Sequence, residues 1–138
     1  MIKLYNTNLE TNKLESVDTY TRGTWIHMVD PSEEEIKEVC QNVNIKEDFI
    51  RYALDNEEKA RIDVEDEDDT ILFIIDIPVT EKSQSGGYMY ATMPIGMIVV
   101  RDDFFITVTL RECSLIKKFE QNKVKSFVHI KRVDLFYK

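Results

Sequence analysis

The densest group of side chains able to do chemistry is the carboxylate run Asp63, Glu65, Asp66, Glu67, Asp68 and Asp69. Carboxylate oxygens are hard donors that suit Mg²⁺ or Ca²⁺. The run lacks the glycine that an EF-hand loop needs at its sharp turn. It therefore offers a divalent-cation surface, beside the plainer reading of a solvated hairpin turn. The remaining candidates are isolated. His27 and His129 are too far apart to suggest a zinc set, and His27 alternates with apolar neighbours, as a strand side chain with a hydrogen-bond partner would. Cys40 and Cys113 form neither a disulfide framework nor a metal-ligand spacing. Cys40 falls on the apolar face of a predicted helix, where a buried free thiol is expected, and this points to a reducing compartment. There is no Gly-x-Ser-x-Gly, no Cys-His arrangement and no phosphate-binding glycine loop. Enzyme activity is not expected.

These residues must be held by a scaffold, and the totals limit which one. The chain has 138 residues, 43% of them hydrophobic and 32% charged, with a formal net charge of −8. That is enough for one domain with a proper core. The acidic balance argues against nucleic acid, whose phosphates call for clustered Lys and Arg. It is compatible with cations, or simply with solubility. The longest apolar stretch, Ile95–Val100, is far short of the ~18 residues a membrane helix needs. No signal peptide is visible at Met-Ile-Lys-Leu-Tyr-Asn, and the chain by itself is expected to be soluble.

Thr70–Val79 organises the elements. Its run Ile71 to Ile75 is unbroken, β-branched and aromatic, which suits a central strand covered on both faces by helices. Ile2, Leu4, Leu14 and Val17 suggest a β-hairpin or a pair of short edge strands. Thr24–Val29 is a second strand, running into Asp30-Pro31-Ser32-Glu33. Asp30 is expected as N-cap, with Pro31 in the first helical position and Glu33 at capping-box spacing. Ile36, Val39, Cys40 and Val43 then recur at i, i+3, i+4, i+7, one buried helical stripe. Asn44 is expected to cap a second helix with Phe49, Ile50, Ala53 and Leu54 on its buried face. Arg61–Glu65 alternates as a strand with one wet face. Arg61 to Leu110 reads as a four-stranded meander, with Glu81–Gly87 as a polar loop and Tyr88–Val100 as a return strand. Pro94 and Gly96 suggest a bulge or an edge there. Tyr88, Tyr90, Phe104 and Phe105 are expected in sheet core and rim. After Arg111 the pattern turns helical, with Ser114 as a possible cap and Leu115, Ile116 and Phe119 sharing a face. Phe127, Val128, Val133, Leu135 and Phe136 form an amphipathic stretch among basic residues. The fold expected is α/β, a mixed and largely antiparallel sheet layered between helices in an α/β/α sandwich.

Trp25-Ile26-His27 ending a strand, then Asp30-Pro31 with Glu33-Glu34 opening a helix, resembles the CorA-type divalent-cation transporters. Lys59-Ala60-Arg61-Ile62-Asp63-Val64-Glu65 after a second helix, and Phe104–Thr109 in place of a Phe-rich strand, are similar to the segments that follow in that family. The similarity runs from about Thr24 to Phe119.

The resemblance implies that residues 1–138 are one amino-terminal cytoplasmic domain, cut near the start of a stalk helix at Lys131–Lys138. The Gly-Met-Asn motif of the family's pore mouth is absent, since Gly96-Met97-Ile98 lies in a predicted strand. Transport itself would then be carried elsewhere, and this chain would sense and gate at the cytoplasmic face of the cell membrane. Family members are pentamers whose cytoplasmic carboxylates bind Mg²⁺ between subunits. The family's regulatory Asp falls near Tyr52, which departs from the family pattern, with Asp55 or Asp48, about one turn away, as substitutes; together with Asp66 and Asp68 of the acidic run, the expected metal residues are Asp48, Asp55, Asp66 and Asp68. Mg²⁺ is the expected cofactor, not required for folding. The partners would be further copies of the chain, with membrane contact only through absent carboxy-terminal helices. A zinc-transporting member of the superfamily and a stand-alone soluble α/β interaction module are the alternatives.

Overall fold

A computed structural model describes residues 1–55, 61–65, 69–101 and 103–121. Seven strands make one sheet: β1 (Ile2–Asn8), β2 (Lys13–Val17), β3 (Thr24–Val29), β4 (Arg61–Glu65), β5 (Thr70–Lys82), β6 (Tyr88–Val100) and β7 (Phe104–Thr109). Their spatial order is β2-β1-β3-β7-β6-β5-β4. Every pairing is antiparallel except β3 with β7. That parallel pair closes a long crossover, and β4 to β7 form the expected meander.

Helices α1 (Glu33–Val43) and α2 (Glu47–Leu54) cover one face. The α1 stripe Ile36, Val39, Cys40 and Val43 is buried as its spacing predicts. It packs with Phe49, Ile50 and Ala53 of α2 against Ile26, Met28, Leu72, Ile74, Ile98, Ile106 and Val108 of the sheet. Helix α3 (Ser114–Glu120) lies on the opposite face, where Ile116 and Cys113 join Trp25, Ile77, Met93 and Ile95. The architecture is the α/β layered sheet expected, with helices on both faces and no barrel.

Several local expectations are corrected. The α1 cap is Ser32, not Asp30: the Ser32 hydroxyl accepts the Glu35 N–H at 3.2 Å, and the Glu35 carboxylate accepts the Ser32 N–H at 2.9 Å. Asp30 instead ends the strand layer, its N–H bonded to the Thr109 carbonyl at 2.9 Å and its φ at 41°. Asn44 closes α1 in a left-handed conformation, φ 58°, and does not open α2, whose N-cap is Lys46. Cys113, not Ser114, occupies the N-cap of α3, and Leu115 faces outward, 46% exposed.

Strand β5 is not central but next to the edge. Leu72 and Ile74 are buried under the helices, whereas Ile71 and Phe73 on the other face are half-buried and Ile75 is exposed. The strand buried along its whole length is β3. Strand β4 alternates as predicted but turns Ile62 and Val64 to solvent. Strand β6 pairs with β5 in unbroken register from Val100 to Tyr88, so there is no bulge. Pro94 falls one residue beyond the last β7 pairing, where β6 is an edge on that side. Gly96 is required by packing: a Cβ there would stand 2.2 Å from the Ala53 Cβ of α2. Tyr88 and Tyr90 lie outside the core at the hairpin end, 76% and 85% exposed, while Phe104 and Phe105 are half-buried. The amphipathic stretch from Phe127 to Phe136, the Lys131–Lys138 segment and His129 lie outside the described residues.

Candidate functional site

Two polar regions are built on the sheet, one on each face. The first is a shallow cavity of about 350 Å³ between the start of α2 and β4. Asp48 and Lys46 approach from the helix, Asp63 and Glu65 from the strand, and Tyr52 from the next helical turn. The alternation of β4 brings Asp63 and Glu65 to this side, because Ile62 and Val64 take the other. Arg61 partly neutralises it. Its guanidinium lies 4.7 Å from the Tyr52 ring centroid, and its Nε is 3.2 Å from Asp63 Oδ2. Helix α2 is fixed to α1 by Arg51, whose guanidinium donates to both Glu33 carboxylate oxygens, at 3.1 and 2.6 Å, and to Glu47 at 3.0 Å. Those bonds hold the Glu33 carboxyl below its usual range.

Of the four expected metal residues, Asp48 and Asp55 are described, and they stand at opposite ends of α2. Asp48 is exposed in the first turn of α2, whereas Asp55 is the C-cap past its last turn. They are seven positions apart, about 10 Å along the helix axis. Asp66 and Asp68 lie outside the described residues. Among the described residues no group of three or more His, Cys, Asp or Glu side chains is placed to hold a metal ion. What the geometry offers is an acidic surface in which Asp48, Asp63 and Glu65 line one cavity together with Lys46.

The second region lies under α3. Glu120 accepts the Tyr5 hydroxyl, and its carboxylate is 3.2 Å from Lys3 Nζ. Glu112, before the helix, is 3.7 Å from the same ammonium. Beneath them Trp25 Nε1 donates to Thr107 Oγ1 at 2.9 Å, and His27 Nδ1 is 2.7 Å from that oxygen. His27 thus has the partner its strand position predicts. Burial, first, and the hydrogen bond to Glu120, second, raise the Tyr5 phenol above its usual range. Burial lowers the His27 imidazole, with Glu120 and Glu112 acting against it. This cluster was not visible as a site in the sequence: Tyr5 and Glu120 are 115 residues apart. The available signal was Lys3 and Tyr5 alternating on β1 in phase with Trp25 and His27 on β3.

The strand order, the helices on both faces and the acidic α2–β4 surface can now be set beside known proteins. The family model described as CorA-like Mg²⁺ transporter protein matches residues 21–128. The chain belongs to the CorA-like Mg²⁺ transporter family. Comparison with curated protein sequences found no match. Among solved structures, the soluble domain of CorA from Methanocaldococcus jannaschii is similar, with a TM-score of 0.72 and 21% identity over 95% of this chain. The complete CorA magnesium transporter from the same organism is also similar, with a TM-score of 0.68 and 17% identity over 89% of this chain. At these identities the likeness concerns the fold. The CorA-like chain spans 50% of the length of the soluble-domain structure and 36% of the complete transporter. Among its described residues no helix is long and apolar enough to cross a membrane. The family match contains β3 to α3, and so the α2–β4 cavity and the His27 cluster; Lys3 and Tyr5 precede it.

Proposed function

We propose that this chain is the cytoplasmic regulatory domain of a CorA-like Mg²⁺ transporter whose pore is formed by other segments. The observation that carries this reading is the family match over residues 21–128. The role follows from chemistry. Mg²⁺ takes oxygen ligands in octahedral geometry and keeps several waters, so one or two carboxylates from each of two subunits suffice. Asp48 and Asp55 supply such groups on the exposed side of α2, and Asp66 and Asp68 supply them beyond β4. Further copies of the chain, five in the full assembly, are the partners, and Mg²⁺ between them favours the closed arrangement. Loss of metal lets the subunits move apart, because a ligand shifts such an equilibrium only through its different affinity for the two states.

Magnesium is favoured over zinc by the donor set. Cys40, Cys113 and His27, the thiol and imidazole donors among the described residues, are all buried, whereas carboxylates are exposed. Isothermal titration of the full-length protein with Mg²⁺ tests the reading. Saturable heat at millimolar metal, weakened by alanine at Asp48, Asp55, Asp66 and Asp68 together, is expected. No heat at millimolar metal overturns the sensing role.

A further inference from the structure

His27 is fully buried in the middle of β3, on the sheet face that carries α3. Thr107 Oγ1 accepts the Trp25 indole N–H at 2.9 Å and lies 2.7 Å from His27 Nδ1. His27 Nε2 has no hydrogen-bond partner among the described residues, and neither does Glu120 Oε1, although the Glu120 side chain is only 7% exposed. A ring nitrogen and a carboxylate oxygen, each without a hydrogen-bond partner among the described residues, thus lie in one buried cluster. The charged and titratable groups around them come from every adjoining element. Lys3 and Tyr5 come from β1, Glu112 precedes α3, Cys113 caps it and Glu120 ends it, while β7 contributes Thr107 and Thr109. With a neutral imidazole, two carboxylates face one ammonium.

Among the described residues, the helix over this cluster has seven residues and no side-chain bond at its N-cap; Ile116 is its buried side chain, with Phe119 and the capping Cys113 packed in the same apolar cluster. Much of its seat is polar, through Glu120 to Tyr5 and Lys3.

We propose that α3 is a proton-sensitive cover, closed on the sheet while His27 is neutral and lifted from it on acidification. Burial, the largest influence on the ring, disfavours the imidazolium beneath the closed helix; Lys3 adds to this, and Glu120 and Glu112 only partly offset it. With α3 lifted, His27 meets water and returns to its ordinary value. The lifted state therefore binds protons more tightly, and acid draws the population towards it. One pH unit between the two values corresponds to about a tenfold shift in the equilibrium. Tyr5 stays protonated over this whole range and does not compensate.

Trp25 is the single tryptophan of the chain and packs in the cluster that α3 completes. Acrylamide quenching of its fluorescence, followed from pH 8 to about pH 5 in the whole protein, reads the cover directly. A rise in the quenching constant of roughly two-fold or more, with its midpoint below 6.5 and far-UV circular dichroism unchanged, is expected. His27→Gln abolishes the rise. In the unsubstituted protein the His27 ring resonances titrate at the same midpoint. A constant quenching profile overturns the proposal. So does a rise that persists in His27→Gln, as carboxylate titration alone would give, or loss of circular dichroism in step with the quenching. Should His27→Gln fail to fold, the ring titration decides: a His27 value at or above 6.5 overturns it.

Discussion

The Glu120 carboxylate at the end of α3 accepts the hydroxyl of Tyr5 on β1, across 115 residues of chain. The same carboxylate meets Lys3, two positions earlier on that strand. One acidic side chain thus joins the last described helix to the first strand.

Tyr5→Phe removes the hydroxyl and leaves Glu120 with Lys3 alone. A hydrogen bond to a charged acceptor contributes about 1.5–3 kcal/mol. Urea denaturation is expected to give a loss of that order, and the α3 amides are expected to lose hydrogen-exchange protection before those of β3. Uniform loss of protection across the sheet would show that the contact does not specifically seat α3.

Gly96→Val fails for a steric reason. The new Cβ would lie 2.2 Å from the Ala53 Cβ, on a helix that cannot retreat without uncovering Ile50 and Phe49. Overpacking of this kind costs about 1–3 kcal/mol. Gly87→Ala is the control, since its Cβ would meet Ser83 Oγ at an ordinary 3.7 Å. Thermal unfolding should separate the two variants clearly.

The Ser32–Glu35 capping box makes a pH-dependent prediction. Backbone hydrogen bonding at Ser32, first, and the amino group of Met1, second, hold the Glu35 carboxyl below its usual range. A carboxylate depressed in the folded state adds stability above its unfolded value, and that stability is lost as pH falls through the folded value. Ser32→Ala is expected to cost about 1 kcal/mol at neutral pH. Glu35→Gln should destabilise at neutral pH, by a margin that shrinks as the solution is acidified below the unfolded value of 4.5. A margin independent of pH would remove the charge from the account.

Cys40 is 7% exposed on the inner stripe of α1, and burial pushes its thiol up to about 11. The thiolate is the reactive form. Labelling of the native protein with a disulfide reagent at pH 8 should therefore be slow at Cys40 and become fast only on unfolding. Rapid native labelling would mean that α1 opens locally.

The sequence carried periods better than signs. The i, i+3, i+4, i+7 stripe of α1 and the meander from Arg61 to Leu110 were readable, because periodic burial leaves a periodic trace. Alternation in Arg61–Glu65 identified a strand, yet alternation alone does not say which set faces the helices, and here Arg61, Asp63 and Glu65 do. The cap of α1 was misplaced by two residues because Asp30 and Ser32 are both good caps, and only the reach of Glu35 back to Ser32 separates them. Gly96 resembled a bulge because its cause, Ala53, is distant in sequence. The acidic surface was partly legible: Asp48 meets Asp63 and Glu65 at one cavity, while Asp55 is set apart at the far end of α2.

The regulatory claim is tested most directly by Mg²⁺ uptake into liposomes holding the full-length protein, with and without millimolar Mg²⁺ on the side of this domain. Domain-side Mg²⁺ is predicted to suppress uptake, and joint replacement of Asp48, Asp55, Asp66 and Asp68 by alanine to relieve the suppression. Uptake that ignores domain-side Mg²⁺ in the unsubstituted protein would contradict the account.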